Sequence, residues 1–241
     1  MTPKETYFDM EGITLIHGDC QEELKKLPDK SVDCCITDPP YEIEAHTLQR
    51  RVKRGSGVMS VEPLNFHPIT EGERIRAALE ISRVTKKWVL VFCQIEAAPL
   101  WRKVFEDQGF VYKRTCIWVK PDGMPQYSGD RPGMGYETFV ACHAPGKSEW
   151  NGGGKHGVFI VNKGENGGLP NDHETQKPIR LFTQLVELFS NDGETVLDPF
   201  AGSFTSAVAA KRLGRKYIGI EKEEKHLETG VRRLAQEVLP L

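Results

Sequence analysis

The chain predicts an α/β fold organised around a mostly parallel β-sheet. Two observations carry this. Short β-rich runs alternate with helical stretches along most of the sequence, the pattern of parallel strands joined by crossover helices. Two of those runs also end on an acid followed at once by proline, Asp38-Pro39 and Asp198-Pro199. Proline has no N–H for a strand ladder, so the chain must leave the sheet at both places.

The apolar, β-branched runs predict strands over Ile13–Ile16, Val32–Thr37, Trp88–Cys93, Phe110–Val119, Tyr136–Ala141, Thr195–Leu197 and Lys216–Ile220. Helical spacing predicts helices over Gln21–Leu27, Glu73–Val84, Ala97–Gln108, Ile179–Ser190, Ser203–Leu213 and Glu223–Val238, with Pro178 at a favoured start for the fourth. Residues 42–72 and 121–172 break the alternation; both are polar and glycine-containing, and both are too long for ordinary connections. They read as loop insertions, lids or binding loops, within a single domain spanning 1–241.

A hydrophobic fraction of 39% with 27% charged residues is ordinary for a folded enzyme and excludes global disorder. No apolar run reaches membrane-spanning length and the first residues lack a signal-peptide core, so a cytoplasmic protein is expected. The six cysteines, Cys20, Cys34, Cys35, Cys93, Cys116 and Cys142, show no C-x-x-C spacing. They are expected to be reduced and structural, with no metal site. A net charge of −2 does not announce a nucleic-acid binder, but His46 to Arg54 holds Arg50, Arg51, Lys53 and Arg54 with no acid.

Asp38-Pro39-Pro40-Tyr41 follows directly on the run Val32–Thr37. Two fixed-φ prolines hold the carbonyls of Asp38 and Pro39 beside a carboxylate and a flat ring. Such a site offers acceptors and a stacking surface, which suits a planar group bearing an NH2. The second strand end, Asp198-Pro199-Phe200-Ala201-Gly202-Ser203-Phe204-Thr205, is a glycine-containing turn into a helix. The next strand ends in Glu221, nineteen residues after Gly202. A close-approach turn followed by an acid placed for ribose hydroxyls is Rossmann-type logic. The turn is neither G-x-G-x-x-G nor a P-loop, so a nucleoside cofactor without phosphates fits better than a dinucleotide.

Together these residues resemble the DNA amino-methyltransferases of the permuted beta class, in which D-P-P-Y precedes D-P-F-x-G-x-G. His17-Gly-Asp-Cys-Gln-Glu-Glu-Leu24, Ile117-Trp-Val-Lys-Pro121 and His173-Glu-Thr-Gln-Lys-Pro178 look like three further segments of that family, in its order. The resemblance covers nearly the whole chain. It implies a Rossmann-like seven-stranded sheet, mostly parallel with one antiparallel strand, of the class I S-adenosylmethionine-dependent methyltransferases, circularly permuted. The strands ending at Asp38 and Asp198 should then be neighbours at the point where strand order reverses.

The activity implied is methyl transfer from S-adenosylmethionine to N6 of adenine in double-stranded DNA after base flipping. N4-cytosine methylation is the alternative, Asp38 favouring adenine because cytosine members more often carry S-P-P-Y. Asp38, Pro39, Pro40 and Tyr41 are the implied catalytic group. Asp19, Cys20, Asp38, Thr175, Lys177, Asp198, Pro199, Phe200, Ala201, Gly202, Ser203, Phe204, Thr205 and Glu221 are the implied cofactor residues. Arg50, Arg51, Lys53 and Arg54 become expected phosphate contacts. His17 and His173 are more often packed or surface histidines than ligands. Beta-class relatives are often homodimers, though no interface signature is legible. Phe204 departs from the pattern: it stands where the family usually has its second glycine, which leaves a weakly catalytic DNA- or cofactor-binding relative as a further alternative.

Overall fold

A computed structural model describes residues 6–42, 51–54, 57–60, 67–123, 125, 129–165 and 176–236. In chain order its strands are β1 (Thr6–Met10), β2 (Ile13–His17), β3 (Val32–Thr37), β4 (Arg51–Arg54), β5 (Gly57–Ser60), β6 (Thr85–Cys93), β7 (Val111–Val119), β8 (Tyr136–His143), β9 (Val158–Ile160), β10 (Thr195–Asp198) and β11 (Lys216–Glu221). The helices are α1 (Cys20–Glu23), α2 (Glu71–Val84), α3 (Ala98–Asp107), α4 (Ile179–Phe189), α5 (Thr205–Arg212) and α6 (Glu224–Gln236).

Nine of the described strands form one sheet, ordered β1-β2-β11-β10-β3-β6-β8-β7-β9. Strands β2, β11, β10, β3 and β6 are mutually parallel, and β8 runs antiparallel to both β6 and β7. This is the expected seven-stranded core with one reversed strand. Two edge strands extend it: β1, antiparallel to β2, and β9, parallel to β7. The β10–β3 pairing puts the two predicted strand ends side by side, Val196 opposite Cys34 and Leu197 opposite Cys35.

The central strands are buried on both faces, as covered parallel strands must be. Along β6, Trp88, Leu90 and Phe92 enter one core cluster, while Val89, Val91 and Cys93 enter the other. The first cluster takes its helical side chains from α4, α5 and α6, including Phe182, Leu185, Ala209 and Leu227. The second takes them from α2 and α3, including Ala77, Ile81, Trp101 and Phe105. Five of the six cysteines are buried and all six are free thiols. Among the described residues no helix is long and apolar enough to cross a membrane.

Residues 42–72 are not simply a loop. Strands β4 and β5 pair antiparallel within them, Arg51 opposite Ser60, and α2 begins at Glu71 rather than Glu73. The earlier start is a capping box: Glu73 N–H donates to Thr70 Oγ1 (3.3 Å), and Thr70 N–H donates to Glu73 Oε2 (2.8 Å). Glu42 anchors the chain as it leaves the β3 turn, accepting from Trp101 Nε1 at 3.1 Å with Arg74 at 3.8 Å. The segment 121–172 likewise contributes β8 and β9 to the sheet.

Helix α5 starts two residues later than predicted because Phe204 adopts the left-handed conformation (φ 58°, ψ 33°). Its ring is fully buried. It lies against two glycines: a Cβ on Gly219 of β11 would meet it at 2.8 Å, and one on Gly230 of α6 at 2.5 Å. The ring therefore fills core volume behind the turn. Left-handed φ costs a non-glycine residue about 1–2 kcal/mol, whereas deleting a buried phenylalanine side chain costs about 3–5 kcal/mol. Phe204→Gly is expected to lower the unfolding free energy by about 1–4 kcal/mol in denaturant titration. An unchanged or raised value would show that the backbone outweighs the packing.

Candidate active site

At the seam between β3 and β10 the Asp198 carboxylate is almost wholly enclosed. Thr37 Oγ1 donates to its Oδ1 at 2.7 Å, joining the two strand ends. The Phe200 N–H donates to the same oxygen at 3.2 Å, and Ser206 Oγ to Oδ2 at 2.6 Å. Because Ser206 spends its hydrogen there, Tyr217 OH, 2.8 Å away, donates to Ser206. Burial raises the Asp198 pKa to about 6 against the pull of these donors. Asp198 thus ties its turn to the neighbouring strand and to α5.

The turn itself is held from two more sides. Gly202, at φ 51°, donates its N–H to Glu221 Oε2 at 2.7 Å, and a Cβ there would point into open space. Glu221 also accepts from the Glu223 N–H at 2.8 Å. Beneath the turn, buried Arg233 of α6 donates to the Ser203 carbonyl (2.6 Å) and to Thr205 Oγ1 (3.1 Å). Ser203 and Thr205 are therefore directed partly into the turn's own support.

On the β3 side, Asp38, Tyr41, Glu137, Lys120 and Lys177 form one partly buried charge cluster. The Lys177 ammonium donates to Asp38 Oδ2 and lies 3.1 Å from Glu137 Oε2. Glu137 Oε2 accepts from Tyr41 OH at 2.8 Å, and its Oε1 from Lys120 Nζ at 3.0 Å. Burial disfavours the charge on Lys177, but the two carboxylates outweigh this and hold its pKa above the ordinary lysine value. Burial and the Glu137 charge raise the Asp38 pKa, with Lys177 opposing them. Asp38 Oδ1 is buried with no hydrogen-bond partner among the described residues, as is the side-chain amide of Gln176. A buried acceptor is costly to leave unmade, so Asp38 Oδ1 is an acceptor waiting for a donor.

Asp19, Cys20, Pro40 and Phe200 line one shared hollow at the strand ends, together with His67, Ile69 and Glu73. Asp19 also caps α1, accepting from the Gln21 N–H at 2.9 Å. Burial pushes the Cys20 thiol up to about 12, so it stays protonated. His17 sits to one side, its Nε2 3.0 Å from the Lys222 carbonyl. A larger hollow of about 440 Å3 on the β7–β9 edge is lined by Arg114, Lys155 and His156 and by none of the predicted residues. Thr175, His173 and Arg50 lie outside the described residues; Arg51, Lys53 and Arg54 fall on β4. No group of His, Cys, Asp or Glu suited to a metal occurs among the described residues. Glu137, Lys120 and Arg233 were not singled out from the sequence as site residues. Glu137 sits in a strand run and Arg233 in a polar helix, and only Lys120 fell within a recognised segment.

A sheet of this order, with one reversed strand and ligand-facing turns at its switch point, defines a class I S-adenosylmethionine-dependent methyltransferase fold. Residues 32–232 match the model of the N6/N4 DNA methylases, and the chain belongs to that family, a beta-class DNA amino-methyltransferase with S-adenosylmethionine as cofactor and DNA as substrate. It is 29% identical to the type II methyltransferase M.HinfI of Haemophilus influenzae, over 92% of this chain and 68% of that one. It is also 29% identical to the DNA adenine methyltransferase YhdJ of Escherichia coli K12, over 95% and 85%. Among solved structures, the M1.HpyAVI–SAM complex superposes with a TM-score of 0.70 at 25% identity, covering 91% of this chain and 98% of that one. The cytosine-N4-specific PvuII DNA methyltransferase shares the fold, with a TM-score of 0.73 at 16% identity over 95% and 88%.

The raised Asp198 pKa makes a signed prediction. Its contribution to stability is fully present below the unfolded pKa near 3.8 and is lost as pH rises through about 6. The stability advantage of wild type over Asp198→Asn should therefore shrink by about 2 kcal/mol between pH 4.5 and 7.5, the part falling in that window of a total of about 3 kcal/mol at 1.36 kcal/mol per unit. Urea unfolding of both proteins at the two pH values measures it. A gap independent of pH would mean that Asp198 ionises as it does in the unfolded chain.

Proposed function

We propose that the protein methylates N6 of adenine in double-stranded DNA, with the target base turned out of the duplex into the cleft at the β3–β10 seam. The observation that carries this reading is the buried Asp38 Oδ1, without a hydrogen-bond partner among the described residues, beside the Pro39-Pro40 backbone and the Tyr41 ring. An exocyclic amine brings two hydrogens, one for Asp38 and one for the Pro39 carbonyl. Holding both weakens the nitrogen lone pair's conjugation with the ring and directs it outward for attack. Tyr41 offers the flat face on which the flipped base stacks. Most of the acceleration would come from this positioning and from fixed charge, with no covalent intermediate.

The cofactor supplies an electrophilic sulfonium methyl. Asp19, Cys20, Pro40 and Phe200 would hold its adenine end in the hollow they share. Glu221 would accept from the ribose hydroxyls while keeping Gly202 in place. The Pro199–Thr205 turn, with Thr175 and Lys177, would run along the methionine portion, Asp198 acting by holding the turn. Gly202 faces open space and the Phe204 ring lies in the core, which supports a competent site over a weakened one. YhdJ, named for adenine, supports adenine over cytosine.

Incubation with unmethylated DNA and labelled S-adenosylmethionine, followed by nucleoside mass spectrometry, tests the reading. N6-methyladenine is expected, and Asp38→Ala should cut transfer by about 10³-fold. N4-methylcytosine as the product would replace adenine with the other amine of the family. The four cations Arg50, Arg51, Lys53 and Arg54 are proposed to contact DNA phosphates. Replacing all four with Ala should weaken DNA binding and flatten its salt dependence by up to about four units of log–log slope. An unaltered slope in fluorescence anisotropy would remove β4 from the DNA interface.

A further inference from the structure

Glu137 is the second residue of β8, the strand that runs against its neighbours. Because β8 is antiparallel to its neighbours, its amino end lies where β6 and β7 finish, with Glu137 opposite Trp118 and Thr138 opposite Cys93. That reversal delivers a side chain from the start of a strand to the edge where the other strands end. There Glu137 binds three donors at once: Tyr41 OH and Lys177 Nζ at Oε2, and Lys120 Nζ at Oε1. Burial would raise its pKa, but Lys177 and Lys120 draw it down to about 2, so it is an anion at any working pH.

Lys177 is shared between Glu137 and Asp38, and it lies 5.5 Å from the Tyr41 ring centre and 5.2 Å from that of Phe92. An ammonium with Asp38 as its sole counter-ion would neutralise that carboxylate. Divided between two carboxylates, it occupies one Asp38 oxygen and leaves the other unpartnered. The cluster of Asp38, Glu137, Lys120 and Lys177 then carries no net charge. Removing Glu137 would leave one surplus positive charge where a cation must form.

We propose that Glu137 is a positioning residue of methyl transfer: it holds Tyr41 by its hydroxyl and takes a share of Lys177, so that Asp38 keeps an acceptor for the target amine. The proposal rests on the reading of Asp38 as that acceptor. As the N–C bond forms and the C–S bond breaks with its electron pair left on sulfur, the amine nitrogen becomes positive. It sheds one proton, for which Asp38 Oδ1 is the nearest free base. Glu137 offsets the two lysines through that charge build-up.

The test compares Glu137→Gln and Glu137→Asp with wild type, using label transfer into unmethylated DNA across pH. The groups facing Asp38 are Lys177, Glu137 of β8, Tyr41 of its own turn, Asp198 of β10 and Cys93 of β6, with Lys120 acting on it from the far side of Glu137. Glu137→Gln should lower kcat by about 10²-fold and leave the KM for S-adenosylmethionine unchanged. It should also move the acid limb of the pH profile to lower pH, because losing an adjacent anion makes Asp38 easier to ionise. Glu137→Asp should recover part of kcat. Lys120→Gln should move the acid limb the opposite way, a sign that general loss of structure does not produce, and it serves where Glu137→Gln fails to fold. A wild-type kcat in Glu137→Gln, or an acid limb that neither variant moves, overturns the proposal. Label is counted whichever base carries it, so a cytosine product would sink the adenine reading and leave Glu137 standing. A wild-type protein that labels no DNA would sink both.

Discussion

Thr37 and Asp198 are 161 residues apart in the chain, yet one 2.7 Å hydrogen bond joins them, and the site is arranged around it. The bond crosses the seam where strand order reverses, between the strand that presents the acceptor cluster and the strand that presents the glycine turn. Asp198 is so enclosed that its carboxylate must be satisfied locally, and it is satisfied by one donor from the neighbouring strand, one from its own turn and one from α5. A buried charge with partners on three elements costs heavily if any one of them shifts. The relative placement of the two strand-end turns is thereby a property of the fold's interior rather than of its surface loops.

A second layer of restraint acts on the turn from behind. Arg233 reaches from the last helix to the Ser203 carbonyl, and Glu221 takes the Gly202 N–H. The Gly202 N–H and the Ser203 carbonyl, on either side of the bend, thus each have a fixed partner. Tertiary contacts hold α5 where its own first turn, entered through a left-handed phenylalanine with no side-chain cap, would be a poor start.

Much of this was legible in the sequence because the informative residues sit where period and punctuation change together. Val32–Thr37 followed by Asp38-Pro-Pro-Tyr41, and Thr195–Leu197 followed by Asp198-Pro199, mark strand ends within a residue. The seven core strands and six helices were placed to within two or three residues at most ends, although the first helix gives way to a 3₁₀ turn at Leu24–Lys26. What was not legible depends on register or on tertiary burial. Strand β9 is three residues long with Val158 and Ile160 exposed, too short to show a period. Strands β4 and β5 sit in a stretch whose basic composition masks alternation. Glu137 looks like one acid in a strand until the antiparallel pairing with β7 sets it beside Lys120 and Tyr41. Arg233 reads as part of a solvated helix face, since nothing local indicates that its guanidinium turns inward beneath the glycine turn.

Phe204 carries one further consequence. Its ring occupies the space that Gly219 and Gly230 leave empty, so three positions, in the turn before α5, on β11 and on α6, share a single volume. A bulky residue at 204 requires glycine at both of the others, and a side chain gained at either one would have to be matched by a smaller residue at 204. A glycine at 204 would leave that space to be filled from the strand and the last helix, where this chain fills it from the turn. Chains that exchange one solution for the other should change at all three positions together, and an isolated change at any of them marks a core that has not yet been refilled.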